Sequence, residues 1–240
     1  MALAFQQESL QMLRFGLSYT MIMCVLLAST HSHAKQLPDG FVYIKDEIPN
    51  IVEEIRYFGR DNFVGSPIKG YLKPRAILTT KATIALKNAQ AELNQFGLGF
   101  KVFDSYRPQQ SVDHFVEWAK DLTDTKQKAL YYPEVDKQHL FRDGYIASRS
   151  SHTRGSTVDI TIVTLLTEQP EELDMGSAWD YFGPVSWPSS KLPTATQRSN
   201  RMLLQMIMLK HGFRALETEW WHFTFNDEPF PETYFNFAVE

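Results

Sequence analysis

Ser151-His152-Thr153-Arg154-Gly155-Ser156-Thr157-Val158-Asp159-Ile160-Thr161-Ile162 opens on a histidine near a glycine and closes in strict alternation of polar and apolar residues. That alternation predicts a strand, with Val158, Ile160 and Ile162 on one face and Thr157, Asp159 and Thr161 on the other. Asp159 therefore points away from the apolar face, toward a cleft. His152 sits at the entrance to the same strand, beside Gly155. Alone, such a histidine and aspartate are most often surface or hydrogen-bonded groups.

Glu219-Trp220-Trp221-His222 changes the balance by adding a second imidazole and a second carboxylate. Two imidazoles, a carboxylate ligand and a spare carboxylate are the components of a catalytic zinc site, where three protein ligands leave the fourth position to water. His152, Asp159 and His222 are the candidate ligands, and Glu219 is left as the acid/base. Residues three apart on an ideal strand face opposite ways, so Glu219 and His222 converge only if Glu219 lies in a turn or a bulge precedes His222. The turn is the expected solution. His114, His139 and His211 have no matching carboxylate context and read as structural, His211 as a helix C-terminal cap. At least one of Trp220 and Trp221 reads as a core aromatic.

Working outward, Thr80 to Phe96 has apolar residues at helical spacing and stops at Gly97. Gly99 to Tyr106 reads as a strand and Pro108 starts another helix, which puts Arg107 at a strand-to-helix junction from which a guanidinium can reach a cleft. Residues 121 to 150 read as a loop-rich approach to the site, and 166 to 193 as a long connection of the kind that is usually functional. Gln197 to His211 reads as a helix ended by Gly212, followed by two short strands, Phe213 to Leu216 and Trp220 to Phe225. The expected fold class is α+β, with a small, mainly antiparallel sheet carrying the ligands and helices packed outside it.

The 240 residues are 43% hydrophobic, enough for one sizeable core, and no repeat or long linker marks a second domain. A formal net charge of -4 leaves no basic footprint for nucleic acid and favours a small-molecule partner. Residues 1–34 read as a signal peptide: Arg14 precedes the apolar run Phe15 to Ala28, and Ser32-His33-Ala34 is a small-x-small cleavage pattern. Residues 35–240 then form the catalytic domain, periplasmic or secreted, with no stable membrane anchor after cleavage. An uncleaved anchor and a start at Met12 are the competing readings, although the apolar run falls short of the ~20 residues needed to span. Cys24, the single cysteine, lies inside this run, so the mature chain forms no internal disulfide.

Several blocks in order resemble the zinc D-alanyl-D-alanine dipeptidases, the VanX-like branch of the zinc peptidases that act on cell-wall peptides. They are Ile55-Arg56-Tyr57, Asp61-Asn62-Phe63-Val64-Gly65, Gly70-Tyr71, Asp104-Ser105-Tyr106-Arg107-Pro108, Ser150 to Ser156, Met175-Gly176-Ser177 with Asp180, and Glu219-Trp220-Trp221-His222. The resemblance implies the zinc D-Ala-D-Ala peptidase (hedgehog-like) fold and one Zn2+ held by His152, Asp159 and His222. It further implies Glu219 as acid/base and Arg107 as transition-state stabiliser. Tyr57 and Asp180 would hold the substrate's amino group, and Tyr71, Ser150 and Ser151 its carboxylate. The implied reaction is hydrolysis of D-Ala-D-Ala to two D-alanine. A carboxypeptidase or endopeptidase on longer wall peptides is one alternative, and a non-catalytic periplasmic peptide-binding protein the other. The leader departs from the cytoplasmic resistance members of the family and favours D-alanine recovery during wall turnover.

Overall fold

A computed structural model describes residues 37–167 and 169–240. The signal-peptide reading of residues 1–34 falls outside the described residues. The described residues contain eight strands and five α-helices, and they form the expected mixture of α and β. No helix among the described residues is long and apolar enough to cross a membrane.

The main sheet has the order β2 (Val52–Glu53), β4 (Leu98–Asp104), β5 (Thr157–Thr164), β8 (Glu219–Phe225), β7 (Phe213–Leu216), with β6 (Glu171–Glu172) also paired to β5. Only the β2 to β4 pairing is parallel; the rest are antiparallel. A separate antiparallel pair joins β1 (Phe41–Tyr43) to β3 (Ile77–Thr79). α1 (Ile44–Glu47) and α2 (Thr80–Asn94) precede β4, α3 (Gln109–Lys120) and α4 (Lys128–Tyr131) follow it, and α5 (Ala195–Lys210) precedes β7.

β5 is the alternating strand, and it lies between β4 and β8. Its apolar residues Val158, Ile160 and Ile162 join one core with Leu86, Ala89 and Leu93 of α2 and Leu204 and Met208 of α5. Alternation suits a half-exposed strand, yet every residue from Thr157 to Val163 is buried. The polar face is covered too, because Asp159 belongs to the site described below and Thr157 Oγ1 meets Thr224 Oγ1 at 2.9 Å on β8. Thr161, on the same face, is buried with its hydroxyl unpaired.

α2 and α3 begin where the sequence places them, α3 at the residue after Pro108. α5 starts at Ala195, earlier than its apolar spacing indicates, because Thr194 and Gln197 form a reciprocal capping box. The long connection is anchored to this helix. Buried Arg201 donates to the carbonyls of Met175 (2.5 Å), Val185 (2.8 Å) and Trp187 (3.1 Å), and to Ser177 Oγ (3.3 Å). A desolvated guanidinium bound to carbonyls rather than carboxylates loses some hold on its proton, and burial lowers Arg201 to about 10.

Residues 235 to 239 form a strap that no periodicity announces. Phe237 stacks on Tyr106 at 4.0 Å, and Tyr106 Oη donates to the Phe237 carbonyl. The Phe235 carbonyl and Asn236 Oδ1 accept from the N–H groups of Gln109 and Gln110, which satisfies free donors at the start of α3. The N–H of Phe235 donates to the Thr153 carbonyl, and Val239 forms a parallel bridge with Tyr71. The strap thus joins the Arg107 junction to the turn that carries His152.

Candidate active site

Three neighbouring strands position the site. The antiparallel register sets Asp159 of β5 opposite His222 of β8, and Asp104 at the end of β4 opposite Asp159 on the other side. His152 lies in a 3-10 turn, Ser151–Arg154, that leads into β5. Ser150 starts that turn by accepting the His152 N–H on its hydroxyl, and Gly155 ends it with φ +76°. A Cβ on Gly155 would come within 2.2 Å of the Phe41 ring, so glycine is needed for space as well as for the left-handed backbone.

The result is a near-equilateral triangle of donors. His152 Nε2, His222 Nδ1 and Asp159 Oδ1 are each 3.2 Å from the other two. Four ligands at ~2.0–2.1 Å around a tetrahedral ion have edges of about 3.3–3.4 Å, so the three atoms fit such an ion closely. The outer atoms of the triad are already engaged. His152 Nδ1 faces the Ser105 carbonyl at 2.7 Å, and because a carbonyl only accepts, this nitrogen holds the proton and Nε2 presents its lone pair. His222 Nε2 meets Ser151 Oγ at 3.2 Å, and Asp159 Oδ2 accepts from Trp179 Nε1 at 3.3 Å. Asp159 Oδ1, buried in the triangle, has no hydrogen-bond partner. A buried carboxylate oxygen facing two imidazole nitrogens is what a cation site requires. Burial alone would raise Asp159, but the imidazoles of His152 and His222 outweigh it and hold its carboxyl far below the usual range. Burial in turn lowers His152.

Glu219 reaches this triangle by a route other than the expected turn. The turn is Glu217-Thr218, and Glu219 is the first residue of β8, paired with Leu216. The register then slips, so that Ala215 pairs with Phe223 and Trp220 to His222 form the excess. This irregularity swings Glu219 Oε2 to 3.5 Å from His222 Nδ1. The same excess buries both tryptophans, with Trp220 Nε1 donating to Ser177 Oγ. Burial pushes the Glu219 carboxyl up, and the Asp159 charge adds to the rise while His222 and Arg107 oppose it.

Arg107 is fixed by a residue to which sequence reasoning gave no role. Asp104, fully buried, accepts from Arg107 Nε at 2.9 Å and Nη2 at 2.8 Å on Oδ2, and from Tyr71 Oη at 2.5 Å on Oδ1. His152 Nδ1 lies 3.5 Å from the same Oδ2. The signal was present in Asp104-Ser105-Tyr106-Arg107: an aspartate ending an apolar strand must be buried beside a cation. The Arg107 guanidinium also lies over the rings of Tyr57 (5.0 Å) and Phe115 (5.3 Å).

Arg107, Ser150, Ser151, His152, Glu219 and His222 line one cleft of about 220 Å³, walled further by Gly144 to Ala147, Arg149 and Leu216. Tyr57, Tyr71 and Asp180 are buried and do not line it. Tyr57 Oη donates to Asp180 Oδ2 at 2.6 Å, and the Tyr71 hydroxyl is engaged by Asp104. Asp180 has φ +57°, alone among the described non-glycine residues in being positive. Burial raises its carboxyl well above the usual range, and Asp159 adds to the effect. His211 pairs with Glu92 at 2.9 Å and His114 accepts from the Lys69 N–H, both away from the cleft.

The sequence profile of the D-ala-D-ala dipeptidase family, a group of metal-dependent peptidases, matches residues 38–240. The chain is 38% identical over 203 residues to the D-alanyl-D-alanine dipeptidase of Enterococcus faecalis (strain ATCC 700802 / V583), covering 85% of this chain and 100% of that protein. It is 37% identical over 199 residues to the protein of the same name in Streptomyces coelicolor, covering 83% and 98%. The Escherichia coli (strain K12) protein of that name is 32% identical over 176 residues, covering 73% and 79%. With a profile match spanning the whole described core and a metal-fitting triad at its centre, the chain belongs to the D-ala-D-ala dipeptidase family.

Proposed function

We propose that this chain hydrolyses the dipeptide D-Ala-D-Ala to two molecules of D-alanine, with one zinc ion held by His152, Asp159 and His222. The observation that carries the reading is the triangle of 3.2 Å edges with Glu219 3.5 Å from one corner, inside a cleft of about 220 Å³. Zinc is the ion best suited to a His/His/Asp set, and when bound it supplies a Lewis acid and an acidified water.

The protein's own groups do the rest. Glu219, with its proton affinity raised by burial, takes a proton from the attacking water as the new C–O bond forms at the scissile carbonyl. It returns that proton to the nitrogen as the C–N bond breaks, so a neutral amine leaves. Arg107, held by Asp104, donates to the oxygen that becomes negative on the way, and this favours the transition state over the ground state. Asp180, buried beside the site and bonded to Tyr57, is the acid assigned to the substrate ammonium, whose positive charge would favour the ionised carboxylate against the burial that raises it, and Ser150 and Ser151 orient the terminal carboxylate. Tyr71 acts through Asp104 on Arg107, since its hydroxyl is already engaged there.

Sensing the free amine separates a dipeptide from the end of a longer peptide. An acylated amine brings no positive charge, so the raised Asp180 carboxyl would stay protonated and the ion pair would not form. A leader that directs export, as the pattern of residues 1–34 implies, supports recovery of D-alanine from wall turnover in the periplasm or outside the cell. D-alanine release from D-Ala-D-Ala and from its amine-blocked form tests the whole reading. Fast release from the free dipeptide alone supports it. Release from both points to a carboxypeptidase-like cleft, and release from neither points to a binding protein.

A further inference from the structure

Arg149 stands on the wall of the cleft, immediately before Ser150 and Ser151. From its place there we infer that Arg149 selects substrates with a free terminal carboxylate; the inference rests on the dipeptidase reading above and names the charge that reading lacks. The other guanidinium of the cleft, Arg107, is already compensated. Its Nε and Nη2 are bonded to Asp104, and Nη2 lies 3.7 Å from Asp159 Oδ2. Glu219 and the nearby Asp180 are acidic. Ser150 and Ser151 are neutral, and their hydroxyls face the His152 N–H and His222 Nε2. They can orient a carboxylate but cannot neutralise it.

Arg149 is exposed and forms no ion pair with any described residue. Its guanidinium lies over the Tyr234 ring at 4.8 Å. Stacking engages the face of a guanidinium and leaves its N–H edge open for a planar anion. The backbone just before it is held by Gln109 Nε2, which donates to the Ser148 carbonyl at 3.0 Å. Arg154 supplies the contrast: it approaches the same ring at 5.9 Å, but both edges of its fork bind Glu228, at 2.8 and 2.9 Å. Of the two arginines against Tyr234, the one on the cleft wall is the one left without an acid.

The test compares kcat/KM for D-Ala-D-Ala and for its C-terminal amide, using the zinc-loaded full chain, Arg149→Gln and Arg149→Lys. The natural chain should prefer the acid, and Arg149→Gln should shrink that acid-to-amide ratio by ~10–100-fold, mainly through KM for the acid. Arg149→Lys keeps the charge without the fork and should fall between them. The preference of the natural chain should also weaken as salt is raised, and that of Arg149→Gln should not. An unchanged ratio in Arg149→Gln overturns the inference, as does an equal loss on both substrates or a natural chain that does not distinguish them. Turnover of neither substrate by the natural chain instead removes the dipeptidase reading, and this inference with it.

Discussion

The floor and the wall of the cleft are built by opposite means. The floor comes from β4, β5, β8 and the turn that leads into β5; Asp104, Asp159 and His152 there are at most 1% exposed, and each holds a hydrogen-bond partner elsewhere in the chain. The wall, residues 144 to 150, has no regular structure and is mostly exposed. It rests on a few contacts, such as Tyr145 stacked on Phe182 at 4.9 Å and the Gln109 bond to Ser148. The difference separates two tasks. Proton transfer and oxyanion stabilisation depend on fractions of an ångström and belong on paired strands or, as with Arg107, on a residue tied to one, whereas choosing a substrate by charge acts over longer distances and tolerates a loop.

The comparison can be broken most severely at Glu219. Glu219→Gln removes the proposed proton acceptor and none of the three candidate ligand atoms, so turnover should fall on the order of 10²–10⁴-fold while added zinc still binds one per chain by metal analysis. An active, zinc-loaded variant would refute the assignment. Asp104→Asn comes next: it keeps the shape but releases Arg107, and kcat should drop about 10²-fold with metal content retained. If kcat survives, the floor does not need its buried anchor and the contrast loses its basis.

A matched pair of glycines then compares floor and wall through one substitution. Gly155 and Gly144 have φ of +76° and +80°, but a Cβ meets the Phe41 ring at Gly155 and nothing within 4 Å at Gly144. Gly144→Ala should therefore cost about 1 kcal/mol of backbone strain, and Gly155→Ala clearly more, in denaturant titrations of the two variants. Equal losses would mean the wall is packed as tightly as the floor.

The smallest effect concerns pH. Burial alone would raise Glu228, but Arg154 and Arg214 outweigh it and hold the carboxyl below its usual range. A depressed folded pKa gives stability that is present above the unfolded value, near 4.5, and is lost as pH falls through the folded one. Glu228→Gln should thus flatten the acid limb of the stability curve, by less than about 1 kcal/mol because Arg214 is half exposed. An acid limb as steep as the natural chain's would place the sensitivity in another carboxylate.

The candidate ligands were legible in the sequence because alternation and spacing are local properties. The helices from Thr80 and after Pro108, the strand at Thr157 and the Arg107 junction follow from such local signals, and the structure has them where the residues indicate. What escaped was non-local. The register of Asp159 against His222 spans 63 residues, as the two numbers show, and no local pattern fixes which residues pair. The slip that brings Glu219 round depends on pairing with β7, so the turn was the simpler expectation. Asp104 resembles any aspartate ending a strand until Tyr71 and Arg107 are seen to converge on it. The strap of residues 235 to 239 has no periodicity to read, since its aromatics answer to Tyr106 and Phe41 far earlier in the chain.

Asp180 shows where function and durability part company. Its backbone sits in the left-handed region, which glycine enters without steric penalty and aspartate at a modest one. Asp180→Gly would relieve that conformation and remove a buried carboxyl, so a population screened only for surviving heat would drift toward it. Such survivors would leave the buried Tyr57 hydroxyl without its acceptor and, if Asp180 holds the substrate amine as proposed, would lose that grip, which makes this position a poor target for stability engineering despite its unfavourable geometry.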